Sequence, residues 1–132
     1  MIFVDTSFWI AARLRRDRRH GEAVQLLERF NDETFVTSNA VRGETWTFLR
    51  KRADLRNAVA YLDLLEGSER IRLHRVSEAL ERDALAWLRR HDERDYSFVD
   101  ATSFALMRSL RINEALAFDG DFAAAGFTEL RA

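Results

Sequence analysis

The chain contains no cysteine and no proline in 132 residues, only five glycines and three histidines, and a single lysine, Lys51. Without cysteine it can form neither a disulfide nor a thiolate metal site, a composition that suits a reducing compartment, so a cytoplasmic location is the expectation. The lack of proline and of any glycine- or serine-rich stretch leaves nothing to mark a linker, so one domain over residues 1–132 is expected. No apolar run approaches the roughly 20 residues that a membrane span needs, and no basic segment precedes an apolar one as in a secretory signal. A glycine-rich phosphate loop is missing as well, which argues against a nucleotide-binding reading. No serine, cysteine or histidine nucleophile arrangement stands out. His20, His74 and His91 are expected at the surface, away from the acidic positions considered below.

What the chain does have is periodic apolar patterning, with 47% hydrophobic and 33% charged residues and a net charge of -1. Short apolar runs at 2–5, 34–37, 70–73 and 115–118 read as strands. Between them lie amphipathic patterns. Ala23, Leu26, Leu27 and Phe30 form one stripe, and Val41, Glu44, Thr45, Phe48 and Leu49 a second. Leu55, Ala58, Val59, Leu62 and Leu65 form a third, and Leu80, Ala84, Trp87 and Leu88 a fourth. A helix over Tyr96 to Leu110 precedes the fourth strand, and the tail adds a turn of helix and an edge strand around Phe127-Thr128. Strands separated by helices imply a three-layer α/β/α sandwich on a mostly parallel sheet.

Against this pattern the acidic residues are misplaced. Asp5 ends the apolar run Ile2-Phe3-Val4, Asp119 ends Ala115-Leu116-Ala117-Phe118, and Asp121 follows two residues later. Glu44 and Asp100 interrupt helical stripes. Each has a local explanation: Asp5 as a helix cap, Ser97-x-x-Asp100 as a capping box, Asp119-Gly120 as a turn with Asp121 capping the helix after it. Glu44 is hardest to excuse, because Val41 and Phe48 flank it on one helical face and aim it toward the core. Ligands of parallel α/β sheets bind beyond the carboxyl ends of the strands, where Asp5 and Asp119 both lie. Carboxylates gathered there repel one another and lose hydration unless a divalent cation compensates them. An all-oxygen set without histidine or cysteine favours Mg²⁺ or Mn²⁺ over zinc. Such a site suits hydrolysis of a phosphate ester by metal-activated water.

Four segments in order, Val4-Asp5-Thr6-Ser7, Asn39-Ala40-Val41-Arg42-Gly43-Glu44, Tyr96-Ser97-Phe98-Val99-Asp100-Ala101 and Ala117-Phe118-Asp119-Gly120-Asp121-Phe122, resemble the successive motifs of the PIN domain. Within it the resemblance is nearest to the VapC toxins of toxin–antitoxin pairs. It implies a compact α/β/α fold, Mg²⁺- or Mn²⁺-dependent endoribonuclease activity, a homodimer and a VapB-like antitoxin covering the site. By motif, Asp5, Glu44, Asp100 and Asp119 are the catalytic, metal-binding acids, Asp121 an accessory metal ligand, and Thr6 a hydroxyl near the metal. Ala117 departs from the threonine or serine of many relatives, which puts one supporting hydrogen bond in question.

With that resemblance, two further sets acquire candidate roles. Arg13, Arg15, Arg16 and Arg42, with the Arg50-Lys51-Arg52 cluster, could hold RNA phosphates, their solvated-face alternative remaining open. Phe8, Trp9 and Leu14 form either an antitoxin groove or simple core. A housekeeping RNA-processing PIN nuclease without antitoxin and a non-catalytic RNA- or protein-binding module are the competing readings.

Overall fold

The computed structural model describes residues 1–132. Five strands, β1 (Ile2–Val4), β2 (Phe35–Ser38), β3 (Ile71–His74), β4 (Glu114–Leu116) and β5 (Thr128–Glu129), form one sheet in the order β3-β2-β1-β4-β5. Every neighbouring pair is parallel. Seven helices flank it: α1 (Thr6–Arg13), α2 (His20–Arg29), α3 (Asn39–Arg52), α4 (Leu55–Gly67), α5 (Glu78–Arg90), α6 (Phe98–Leu110) and α7 (Asp121–Ala124). The expected three-layer α/β/α sandwich is what forms, and no helix is long and apolar enough to cross a membrane.

The central strands read as unbroken apolar runs because they are covered on both faces. Ile2, Phe3 and Val4 are all buried, as are Ala115 and Leu116 beside them. At about 25 cal/mol per Å² of apolar area, such runs are the main favourable contribution to the sheet. Side-chain caps fix where the helices start. Asp5 caps α1, Ser38 caps α3, Asp54 caps α4, Ser77 caps α5 and Ser97 caps α6, each accepting a hydrogen bond from a backbone N–H of the first turn.

The strand order places the functional crevice. From β1 the chain crosses to β2 and then β3 on one side, whereas β4 and β5 add on the other. Connections therefore leave in opposite directions between β1 and β4, the position at which doubly wound sheets open a crevice beyond the carboxyl ends of their strands. Asp5 follows β1 directly and donates its N–H to Leu116 O of β4 at 3.0 Å. Ala117, Phe118 and Asp119 follow β4 across the same crevice.

Two expected helix faces are rotated from those observed. In α3 the buried stripe is Val41, Thr45 and Leu49, while Glu44 and Phe48 are exposed. Consecutive helical residues are about 100° apart, so Glu44 lies one step off the stripe through Thr45, and the core orientation expected for it is corrected. In α4, Ala58, Tyr61 and Leu65 are buried, and Leu55 and Val59 are exposed. Phe8 is core, its ring 5.4 Å from that of Phe118, and Trp9 is buried with its ring 5.7 Å from Tyr61. Phe8 therefore packs inside, whereas Trp9, though buried, also lines an apolar cavity with Leu27, Tyr61 and Leu64.

Candidate active site

The crevice holds six carboxylates. Asp5, Glu44, Asp95, Asp100, Asp119 and Asp121 line one cavity of about 460 Å³, together with Thr6, Ser7, Ile10, Phe48 and Ser97. Carboxylate oxygens of Asp100, Asp119 and Asp121 lie within 4.8 Å of one another. Asp5 and Glu44 line the same cavity outside this tight group, Asp5 on its floor and Glu44 on an exposed helix face at its rim.

Local structure explains how each acid is aimed. Asp5 closes the buried strand β1 and caps α1, and only 2% of it is exposed. One oxygen, Oδ2, accepts both the Ser7 N–H at 3.1 Å and the Ser7 hydroxyl at 2.7 Å. That hydroxyl in turn accepts the Phe118 N–H at 3.0 Å, tying the end of β1 to the segment that carries Asp119. Asp100 realises the expected capping box: its Oδ2 accepts the Ser97 N–H at 3.0 Å while Ser97 Oγ accepts the Asp100 N–H at 2.9 Å. The cap and the acidic cluster are compatible because a carboxylate has two oxygens.

Asp121 does not cap α7 as the turn reading suggested. Asp119 Oδ1 accepts the Asp121 N–H at 3.2 Å, and Gly120 turns the chain at φ +84°, a left-handed conformation that favours glycine. Arg94 clamps this turn, donating from Nε to Asp121 Oδ1 at 2.9 Å and from Nη2 to Asp119 O at 3.3 Å. At Gly120 an added Cβ would only touch Arg94 Nη2, at 3.4 Å, so it is the backbone conformation and not space that calls for glycine.

Crowding shows in the protonation of the group. Burial first, and then the charge of Asp119, push the Asp5 carboxyl up to about 7. Burial, with Asp119 and Asp121 adding, pushes Asp100 up to about 6. Burial likewise raises Asp119, and Asp121 adds to it. Acids forced toward neutrality in a cleft mark a site built for a positive partner. The donors are carboxylate oxygens alone, so the residues fit a hard divalent cation and not a soft one.

Other residues expected at the site fall differently. Thr6 lines the cavity, but its hydroxyl accepts from Thr45 Oγ1 at 3.2 Å, and the hydroxyl bonded to Asp5 is that of Ser7. Ala117 offers no hydroxyl, and the link from its segment to Asp5 runs through Ser7, whose hydroxyl accepts the Phe118 N–H and donates to Asp5. Arg13, Arg15 and Arg16 line a separate cavity with Asp54 and Asn57 that shares no residue with the acidic one. Arg42 is half-buried and lines neither of them. The cations beside the crevice are instead Arg18 and Arg19 on one flank, Lys51 and Arg52 on another, and Arg94. Asp95, Ser7 and Arg94 were not singled out by sequence. Only Ser7 had a readable cue, because the second residue after an aspartate cap donates to it.

A parallel sheet with its acidic crevice at the switch of strand order defines a class, and the comparison with known families agrees: the PIN domain family matches residues 2–128, and the chain belongs to it. Among particular relatives, it is 53% identical over 131 residues to the 23S rRNA-specific endonuclease VapC20 of Mycobacterium tuberculosis, covering 99% of this chain and 98% of that protein. The crystal structure of Mycobacterium tuberculosis VapC20, described as a sarcin–ricin loop cleaving toxin, superposes with a TM-score of 0.94 at 52% identity over the whole of both chains. FitAcB from Neisseria gonorrhoeae shares the fold, with a TM-score of 0.68 at 16% identity over 98% of this chain and 96% of that one.

Proposed function

We propose that this protein is a Mg²⁺- or Mn²⁺-dependent endoribonuclease that hydrolyses a phosphodiester bond of 23S rRNA in the sarcin–ricin loop. The observation that carries the reading is the gathering of six carboxylates in one crevice, three of them with raised proton affinity, in a chain more than half identical to VapC20. Asp5, Asp100, Asp119 and Asp121 hold the cation, and Glu44 completes the set from the rim. A divalent ion bound there supplies activation of water and neutralisation of charge on the phosphate undergoing attack.

The chain's own groups do the rest. Ser7 fixes the rotamer of Asp5 by donating to one oxygen, leaving the other for the site. The Ser97 N–H does the same for Asp100, and Arg94 for Asp121. Glu44, on an exposed helix face, orients the attacking water and takes its proton as the new O–P bond forms. The bond from phosphorus to the leaving ribose oxygen breaks, and that oxygen is protonated from solvent. Holding the acids at fixed positions before substrate arrives removes reorganisation from the reaction step.

The same reading makes the protein the toxin of a pair, a homodimer neutralised by a VapB-like antitoxin. It draws support from the toxin description carried by VapC20. An apolar cavity of about 240 Å³ lined by Trp9, Leu27, Tyr61 and Leu64, away from the acids, offers an antitoxin segment a seat.

The test is cleavage mapping on ribosomes and on naked 23S rRNA, with Mg²⁺ or Mn²⁺ and with chelator. One dominant cut in the sarcin–ricin loop that requires the metal and vanishes in Asp100→Asn is expected. Metal-independent cutting, or cutting unchanged in Asp100→Asn, defeats the reading. Co-expression with an upstream antitoxin gene should restore growth, and failure to do so removes the toxin–antitoxin part alone.

A further inference from the structure

Of the ten phenylalanines only Phe48 and Phe98 are exposed, at 38% and 43%. Phe98 begins α6 and lines none of the cavities around the acids. Phe48 lies one helical turn after Glu44 and lines three cavities that meet at the crevice. The first holds the carboxylates, the second holds Arg18, Arg19 and Phe118, and the third holds Lys51 and Arg52. The Arg52 guanidinium lies 6.0 Å from the centre of the Phe48 ring. Arg19 is committed to Glu22 at 2.6 Å and to the face of Phe118 at 4.2 Å, whereas Arg18, Lys51 and Arg52 make no ion pair.

An apolar protein surface is a poor occupant for this ring. Beside Ala40, Gly43 and Val99, its neighbours in the third cavity are Glu44, Thr47, Lys51 and Arg52, which put charge of both signs in the wall that the ring shares. A flat hydrophobic ring beside a site for phosphate chemistry, flanked by unpaired cations on two sides, matches a polynucleotide instead. Every base offers a π-face to stack, and every linkage a charge. The base must be unstacked from its neighbours to reach the ring, which selects single-stranded or loop RNA over a duplex.

We propose that Phe48 is the platform on which one unstacked base of the RNA stacks beside the scissile phosphate, with Arg18 and the Lys51–Arg52 pair holding the flanking phosphates. This rests on the endoribonuclease reading for its choice of ligand. It assigns to α3 two adjacent functions one turn apart: Glu44 faces the bond to be cut, and Phe48 fixes the nucleotide next to it. Discrimination between RNAs then begins with which loops can release a base.

The experiment uses the full chain carrying Asp100→Asn, which prevents cutting, and a synthetic sarcin–ricin loop hairpin with 2-aminopurine placed in turn at each loop position. Phe48→Leu and Phe48→Ala should abolish the fluorescence change at one position and weaken binding roughly 5- to 150-fold, the range for loss of one stacked base. Phe48→Tyr should bind within about threefold of the parent, since it keeps the ring. Arg18→Ala or Arg52→Ala should lower the salt dependence of binding by about one phosphate contact each, which Phe48→Leu should not. In the cutting-competent chain, Phe48→Leu should lose kcat/KM on the hairpin with its melting temperature unchanged.

Phe48→Leu binding as tightly as the parent overturns the platform. So does a change of oligomeric state in Phe48→Leu, measured by light scattering, with the 2-aminopurine response retained, because the ring would then belong to a protein contact. Cutting by the parent chain with no Phe48 effect leaves the nuclease reading intact and removes only the platform. A Phe48-dependent response in a chain that never cuts keeps the platform and removes the nuclease.

Discussion

At the level of single residues, the site is a set of acids each held by one neutral donor. Asp100→Asn separates structure from chemistry cleanly. An asparagine carbonyl can still accept from the Ser97 N–H, so the capping box survives while a repelled charge is removed. We expect cleavage to fall to background and the metal-free melting temperature to stay equal or rise. A clear drop in melting temperature without metal would show that the carboxylate serves the helix before the site. Ser7 is the complementary case. Ser7→Ala removes the hydroxyl that bonds Asp5 and accepts from Phe118, which should cost about 1 kcal/mol of stability. It should also weaken Mn²⁺ affinity roughly 10- to 100-fold, as loss of a group that orients a ligand does. Isothermal titration with Mn²⁺ measures the second effect, and Ser7→Thr should recover most of it. Asp5, Asp100 and Asp119 were legible because each breaks a local pattern. Ser7 was harder, since Thr6 and Ser7 are equivalent until the helix starting at residue 6 fixes which hydroxyl turns back to the cap.

At the level of elements, every helix and strand expected from periodicity is found, with ends moved by a residue or two. What periodicity misjudged is rotation. The stripe expected through α3 ran Val41, Glu44, Thr45, Phe48 and Leu49. Val41, Thr45 and Leu49 are indeed buried, but Glu44 and Phe48, one step round the helix from them, are exposed, so the buried face is narrower and turned away from the acid. That error hid the meaning of Gly43. It lies inside α3 with ordinary backbone angles, and an added Cβ would meet nothing within 4 Å. Gly43→Ala should therefore stabilise the free chain by about 0.5–1 kcal/mol, raising the melting temperature by a few degrees. If the groove along this helix seats RNA closely, the same variant should lose activity while gaining stability. A loss of stability instead would mean that the helix needs glycine for its own packing.

At the level of the whole molecule, the fold class followed from alternating strand and helix patterns, but the strand order did not. Nothing in the sequence states that β1 lies between β2 and β4, because that depends on which faces the helices cover. Yet this order is what brings Asp5, Asp100 and Asp119, separated by most of the chain, into one cluster. The cluster couples global stability to protons and metal. Asp5, raised to about 7, and Asp100, raised to about 6, hold protons in the folded state at pH values where the unfolded chain has already lost them. Folded protein thus binds more protons between about pH 4 and 7, and its metal-free stability falls as pH rises through that window. With chelator present, the melting temperature should be higher at pH 5 than at pH 8, by on the order of 5 °C. A cation that binds the ionised acids reverses the preference, since it stabilises only the folded form and does so better as the protons leave. Saturating Mg²⁺ or Mn²⁺ should therefore close or invert the gap, and Asp5→Asn should flatten it even without metal. Scanning calorimetry at the two pH values, with and without metal, decides the matter. A metal-free profile that is level from pH 5 to 8 and indifferent to Asp5→Asn would mean that the acids do not burden one another, and the case for a cation would lose its physical basis.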